Sequence, residues 1–153
     1  MAEINLTPQD WDIRLYIYDV LVTTGKAPSY QATAQQFAID AEEARLAYHR
    51  LNAGHALFLR PDSDEIMMAH PLSAIETDYQ VQVDEVTVYA NCAWDSLGIP
   101  AMLGKDAHIT VTHPISREII TYDVIDGNLH TDDGGYVHFL LPFTQWYDDL
   151  IDT

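Results

Sequence analysis

Apolar residues recur at helical spacing through the first seventy positions and at alternating spacing through much of the second half, so the chain divides into two differently patterned parts. Trp11, Leu15, Tyr18 and Val22 follow one another at intervals of four, three and four residues. With Thr7 as a cap and Pro8 in the first helical position, this predicts a helix that buries that stripe. Gly25-Lys26-Ala27-Pro28 interrupts it. Ser29 then opens a short helix carrying Tyr30, Ala34 and Phe37, and Asp40 with Glu43 forms a capping-box pattern ahead of Ala44, Ala47, Tyr48 and Leu51. Residues 56–60, 61–64 and 65–68 read as strand, turn and strand. Three helices and a hairpin in this order predict a winged-helix-like module over residues 1–70.

Residues 71–78 read as a linker, because His70-Pro71-Leu72-Ser73 follows neither period and Pro71 disfavours a regular element. Alternation resumes in Tyr79-Gln80-Val81-Gln82-Val83, turns at Asp84-Glu85, and continues through Val86 to Tyr89. A short helix is expected from about Asn91 to Leu97, ending near Gly98 and Pro100. Further strands are expected at 107–112, 118–125 and 136–141, with a helical turn or two at 144–150. The fold class is therefore α+β, with a mixed or antiparallel sheet module over residues 79–153.

Charge narrows the range of partners. Twenty-four Asp and Glu against seven Lys and Arg give a formal charge of −17, a field that opposes approach to nucleic-acid phosphates and anionic lipid and attracts cations. The third helix opens with Asp40, Glu42 and Glu43, and the hairpin tip carries Asp62 and Asp64, where a DNA-reading module needs cationic phosphate contacts. Nucleic acid is thus disfavoured. An acid-rich surface fits either a cationic small molecule or a saline cytoplasm, where counter-ions screen self-repulsion. No apolar run approaches the roughly 20 residues that cross a bilayer, and the start has no leader pattern, so no membrane partner and a cytoplasmic location are expected.

Candidate chemistry centres on Cys92, the only cysteine, in Tyr89-Ala90-Asn91-Cys92-Ala93-Trp94-Asp95. A single cysteine excludes an intrachain disulfide and a multi-cysteine metal site within one chain. In a helical segment Cys92 and Asp95 would be neighbours at i and i+3, a thiol beside an acid. Each has a plainer reading: Cys92 as a small buried hydrophobe, and Asp95 as a carboxylate stabilising helix amides. Trp94 reads as core packing or a pocket wall. His70, His108, His113 and His138 are the imidazoles that could join Cys92 and Asp95 in holding zinc, copper or iron, with His138 preferred, although the residues form no compact ligand motif. Asp132-Asp133-Gly134-Gly135 reads as an acidic turn or a loop over Cys92, and Tyr89 and Tyr136 as strand aromatics or pocket hydrogen-bonders.

Val83-Asp84, then Val88 through Leu97, then Ile99-Pro100-Ala101-Met102-Leu103-Gly104, resembles the active-site segment of the organomercurial (alkylmercury) lyase family. The order of a winged-helix-like module before a sheet module is similar to that family's architecture. The resemblance implies protonolysis of a carbon–mercury bond, with Cys92 in the place of the first catalytic cysteine and Asp95 in that of the aspartate. Mercury would enter as part of a small, cationic or organometallic substrate, with no other cofactor required, and a small thiol or mercuric reductase would accept the product. The family's second cysteine lies just before a Val-His-Phe strand, which corresponds here to Val137-His138-Phe139. The residues before it, Asp132 to Tyr136, include no cysteine. This chain is accordingly a divergent member lacking the second catalytic cysteine. The alternatives are an enzyme of the same fold acting on a non-mercurial substrate, and a non-catalytic small-ligand, metal-binding or regulatory protein.

Overall fold

The computed structural model describes residues 5–131 together with Tyr136, Val137, Phe139, Pro142 and Gln145. Three helices come first: α1 (Pro8–Thr24), α2 (Tyr30–Phe37) and α3 (Ala41–Ala53). Strands β1 (Phe58–Leu59), β2 (Ile66–Ala69), β3 (Leu72–Ser73), β4 (Tyr79–Val83) and β5 (Val86–Ala90) follow, then α4 (Ala93–Leu103), β6 (Ala107–Thr112), β7 (Ile119–Ile125) and β8 (Asn128–His130). The protein is α+β: a helical region precedes a large sheet whose described strand pairs are all antiparallel, in the order β1-β2-β3-β5-β4-β6-β7-β8.

The first helix starts as the sequence predicts, with Thr7 as cap, but it buries a different face. Ile13, Ile17 and Leu21 are buried, whereas Trp11 is 46% and Leu15 65% exposed. Tyr18 and Val22, from the expected stripe, are half-buried at the margin of the core. Both stripes have helical spacing, so periodicity alone could not choose between them. Asp10 selects the face: it accepts from the Thr7 amide and hydroxyl at 2.8 Å and from Arg50 of α3, so α1 turns this side toward α3. The expected box at α3 is only half formed. Asp40 caps the Glu42 amide, while Glu43 accepts from Arg50 instead of reaching back.

Gly25 ends α1 with φ +70°, and a Cβ placed there would lie 2.8 Å from the Thr87 carbonyl oxygen, so the helix end abuts the backbone of β5. Residues from both halves of the chain share one hydrophobic core, among them Ile17, Tyr48, Leu51, Leu72, Val81, Ile99 and Ile109. Within the stretch expected to be a linker, β3 pairs with β2 on one side and β5 on the other, and so carries the sheet from the hairpin to the remaining strands. Pro71 does not prevent this, because it occupies the turn before β3.

The strands expected at 79–83 and 107–112 have those bounds, and those expected at 86–89 and 118–125 differ by one residue at an end. The fourth helix differs more. It begins at Ala93 with Cys92 as its cap and continues through Gly98 and Pro100 to Leu103, where Gly104 turns left-handed with φ +61°. Burial of Ser96, Ile99 and Pro100 against the sheet outweighs the backbone bond lost at proline. At Gly98 a Cβ would meet Pro71 at 3.4 Å, an ordinary contact distance, so α4 lies against the β2–β3 turn. The strand expected at 136–141 and the turn at 144–150 lie largely outside the described residues, as do Asp132 to Gly135.

Candidate functional site

The site grows from the junction of β5 and α4. Alternation along β5 buries Val88 and Ala90, and the Ala90–Leu72 pairing closes that strand against β3. Asn91 and Cys92 then turn the chain into α4. Cys92 is the helix cap in extended conformation, φ −152° and ψ 179°, and Asp95 is the third residue of the first turn. The expected i, i+3 relation thus appears as cap and third position. A thiol is a poor acceptor, and no formal cap hydrogen bond forms; the first-turn amides nevertheless face the sulfur.

Opposed effects act on the half-buried Cys92 thiol. Burial is the largest and raises its pKa above the ordinary 9.0; the amides of Asp95 and Trp94 favour the thiolate, while the charge and hydrogen bonding of the Asp95 carboxyl disfavour it. The net direction is upward. Unliganded Cys92 is therefore held as a thiol, and a soft electrophile that replaces its proton removes the cost of a buried charge.

Asp95 is 15% exposed and is approached by groups from other elements. Asn91 Nδ2 donates to its Oδ2 at 3.0 Å, and His70 Nδ1 lies 3.6 Å from the same oxygen. The Tyr18 hydroxyl of α1 donates to the His70 carbonyl at 2.5 Å and receives a bond from Arg14 at 2.7 Å. Burial raises the Tyr18 pKa, Arg14 opposes the shift, and the Asp95 charge adds to it. Tyr18 and His70 also border an apolar groove of about 470 Å3 between α1 and α4, with Met102 on its wall.

On the sheet side, Tyr79 and Tyr122 are close enough to Cys92 for a thiolate there to oppose ionisation of either phenol, adding to the larger effect of burial. The Tyr122 hydroxyl bonds the buried Ser96 Oγ at 2.6 Å, tying α4 to β7. These are not the tyrosines the sequence singled out: Tyr136 is exposed, and Tyr89 lines a separate cleft below α2. Trp94 is 55% exposed and meets the edge of Phe139 with ring centres 6.0 Å apart, so it is not core packing.

The structure brings Cys92 and Asp95 together and, of the histidines named from the sequence, sets His70 beside Asp95. His138 lies outside the described residues. His108 bonds Asp123 across the β6–β7 pair at 2.6 Å, and His113 Nδ1 accepts from the amides of Ile115 and Ser116; both serve local structure. Among the described residues no group of three or more His, Cys, Asp or Glu side chains is arranged to hold a metal ion. Asn91 and Tyr18 were missed because their roles depend on the distant His70-Pro71 turn. The one available signal was the position of Asn91 beside the cysteine.

A cap cysteine and a first-turn aspartate, set on an antiparallel sheet, define a thiol–carboxylate site. The alkylmercury lyase family (MerB) matches residues 72–149, just over half of the chain and including Cys92 and Asp95, and the chain belongs to that family. With one cysteine in its full sequence, it is a divergent member without a second catalytic cysteine. Among solved structures, the mercury-bound form of MerB2 is similar at 23% identity and TM-score 0.66, over 83% of this chain and 61% of that one. The likeness extends the shared fold to the helical region, and this chain spans about three fifths of that relative's length. A comparison with curated proteins finds no match.

Proposed function

We propose that this protein cleaves carbon–mercury bonds by protonolysis, with Cys92 as its only thiolate and Asp95 as proton donor. The observation that carries the reading is the cap-and-third-residue placement of these two side chains at the start of α4, within the segment that matches the family. A thiol-bound organomercurial exchanges its sulfur ligand for Cys92: as the sulfur binds mercury, the Cys92 proton passes to the Asp95 carboxylate and the displaced ligand leaves as a thiolate. Asp95 then gives this proton to the mercury-bound carbon and returns to the carboxylate. The electron pair of the carbon–mercury bond becomes the new carbon–hydrogen bond, and mercury stays divalent on Cys92. A small thiol from solution supplies the second sulfur that the chain lacks, and a further thiol or mercuric reductase removes the product.

In this reading residues 1–70 are a winged-helix-like module serving as scaffold and cover, residues 71–78 the connection, and residues 79–153 the catalytic part, all in the cytoplasm. No helix among the described residues is long and apolar enough to cross a membrane. The test is product analysis with an organomercurial and excess small thiol. Hydrocarbon release by the wild type, lost in Cys92→Ser and Asp95→Ala, is the expected result; binding without release by folded protein would overturn it. The missing cysteine specifically favours one second reading, the same pocket acting on a non-mercurial soft electrophile. Turnover of such a substrate, dependent on Cys92 and without organomercurial cleavage, would establish it.

A further inference from the structure

Asn91 stands between the β2–β3 turn and α4, next to the thiol and the acid. Its Nδ2 lies 3.0 Å from Asp95 Oδ2, 3.2 Å from the Pro71 carbonyl oxygen and 3.3 Å from His70 Nδ1. An amide nitrogen has two hydrogens, and both the carbonyl and the carboxylate oxygen are acceptors. The amide orientation follows from these neighbours, since the opposite one would set Oδ1 against two oxygens. In this orientation Oδ1 is buried and meets no donor among the described residues. Such an orphan is uncommon in a folded protein. Here it accompanies an amide whose hydrogens are directed at Asp95 and at the turn that anchors it.

We propose that Asn91 is a positioning residue that holds the Asp95 carboxyl beside the Cys92 sulfur, with the Pro71 carbonyl as its fixed point. The proposal rests on the reading of Asp95 as proton donor. A carboxyl on the first turn of a helix can rotate about two side-chain bonds, and productive proton transfer requires one narrow range of those angles. A donor anchored to a separate element restricts that rotation. The anchor is itself braced: Tyr18 holds the His70 carbonyl, Arg14 holds Tyr18 and the Ala56 carbonyl, and α4 lies against Pro71 at Gly98. The Asp95 carboxyl is thereby referred to α1 and the β2–β3 turn as well as to its own helix.

A test that does not require turnover compares alkylation of Cys92 by neutral iodoacetamide and anionic iodoacetate in the full-length protein. A carboxylate held at the sulfur disfavours the anionic reagent, and the ratio of the two rates cancels changes in exposure. Asp95→Asn is expected to raise the iodoacetate-to-iodoacetamide ratio severalfold, and Asn91→Ala to shift it in the same direction. In hydrocarbon release, Asn91→Ala should lower kcat roughly tenfold or more with KM little changed. Asn91→Ser, which keeps a donor but is too short to span Pro71 and Asp95, provides the same comparison if the alanine variant does not fold. A wild-type ratio in a folded Asn91 variant whose Asp95→Asn counterpart shifts would overturn the proposal. So would the absence of a shift in Asp95→Asn, since there would be no held carboxylate. If the wild type releases no hydrocarbon, the lyase reading fails and the alkylation ratio alone decides the role of Asn91.

Discussion

Arg50 reaches from α3 to the buried carboxylate of Asp10 on α1, with Nη2 2.8 Å and Nε 3.1 Å from Oδ1. Burial alone would raise the Asp10 pKa, but the bonds from Arg50 and Thr7 outweigh it and hold the carboxyl below its ordinary 3.8. A lowered folded-state pKa contributes stability above the unfolded-state value and loses that contribution as pH falls through the folded one. Asp10→Ala should therefore cost about 3 kcal/mol at pH 7, the low end for breaking a buried pair because Arg50 is partly open to solvent. The gap between wild type and variant should narrow as pH falls below about 4. Urea unfolding at a series of pH values measures both effects; a constant gap would show that the pair does not titrate with folding.

Tyr48 is the corresponding case at alkaline pH. Its buried hydroxyl bonds Thr33 Oγ1 at 2.7 Å and donates to the Pro28 carbonyl at 3.2 Å, joining α3 to α2 and the segment before it. Burial raises the pKa from 10.0 to about 12, and the Thr33 bond only partly offsets the rise. The sign is opposite to that of Asp10: this contribution is complete below pH 10.0 and is lost as pH rises toward 12. Tyr48→Phe should cost about 1–2 kcal/mol at neutral pH, since it leaves buried partners unpaired. Thermal unfolding of the variant should also depend less on pH between 10 and 12.

Two glycines of α4 should respond to alanine in opposite ways. Gly98 has ordinary helical backbone and space for a methyl group against Pro71, so Gly98→Ala should stabilise by about 0.5–1 kcal/mol. Gly104 also has room, but its φ of +61° is left-handed, so Gly104→Ala should destabilise by about 1 kcal/mol. Denaturation midpoints of the two single variants test this pair; a loss in Gly98→Ala would mean that the Pro71 turn cannot yield.

The two apolar stripes of α1 should separate just as clearly. Ile17→Ala removes a fully buried side chain and should cost about 2–4 kcal/mol, whereas Leu15→Ser at a 65% exposed position should stay within about 0.5 kcal/mol. Similar losses in both would show that the Trp11–Leu15 face is covered in solution.

That stripe also shows what the chain discloses without a structure. Alternation located β4 and β6 to the residue, because a strand with one buried face must obey its period. Thr7, Ser29 and Asp40 marked helix starts, because an exposed first turn needs an acceptor. The buried face of α1 was not legible, because its choice depends on Arg50, 40 residues away. The extent of α4 was hidden by proline and glycine, whose helix-breaking tendency is overcome by packing on the sheet. Strands β3 and β8 were too short to leave a period. At the candidate site, the local pair Cys92 and Asp95 was visible as neighbours, whereas His70 and Tyr18 arrive through the β2–β3 turn and α1.

The strand order makes excision of the second half hazardous. A fragment starting at Tyr79 would keep Cys92, Asn91 and Asp95, yet it would lose Pro71, His70 and Tyr18, the groups that brace the carboxyl from outside α4. It would also uncover the side of β5 that β3 occupies at Tyr89 and Ala90, exposing unpaired backbone groups immediately before the cysteine. An open edge at that place is a template for another strand. Such a fragment is expected to recruit its own copies through the residues that lead into the site, and its self-association would compete with any chemistry at Cys92.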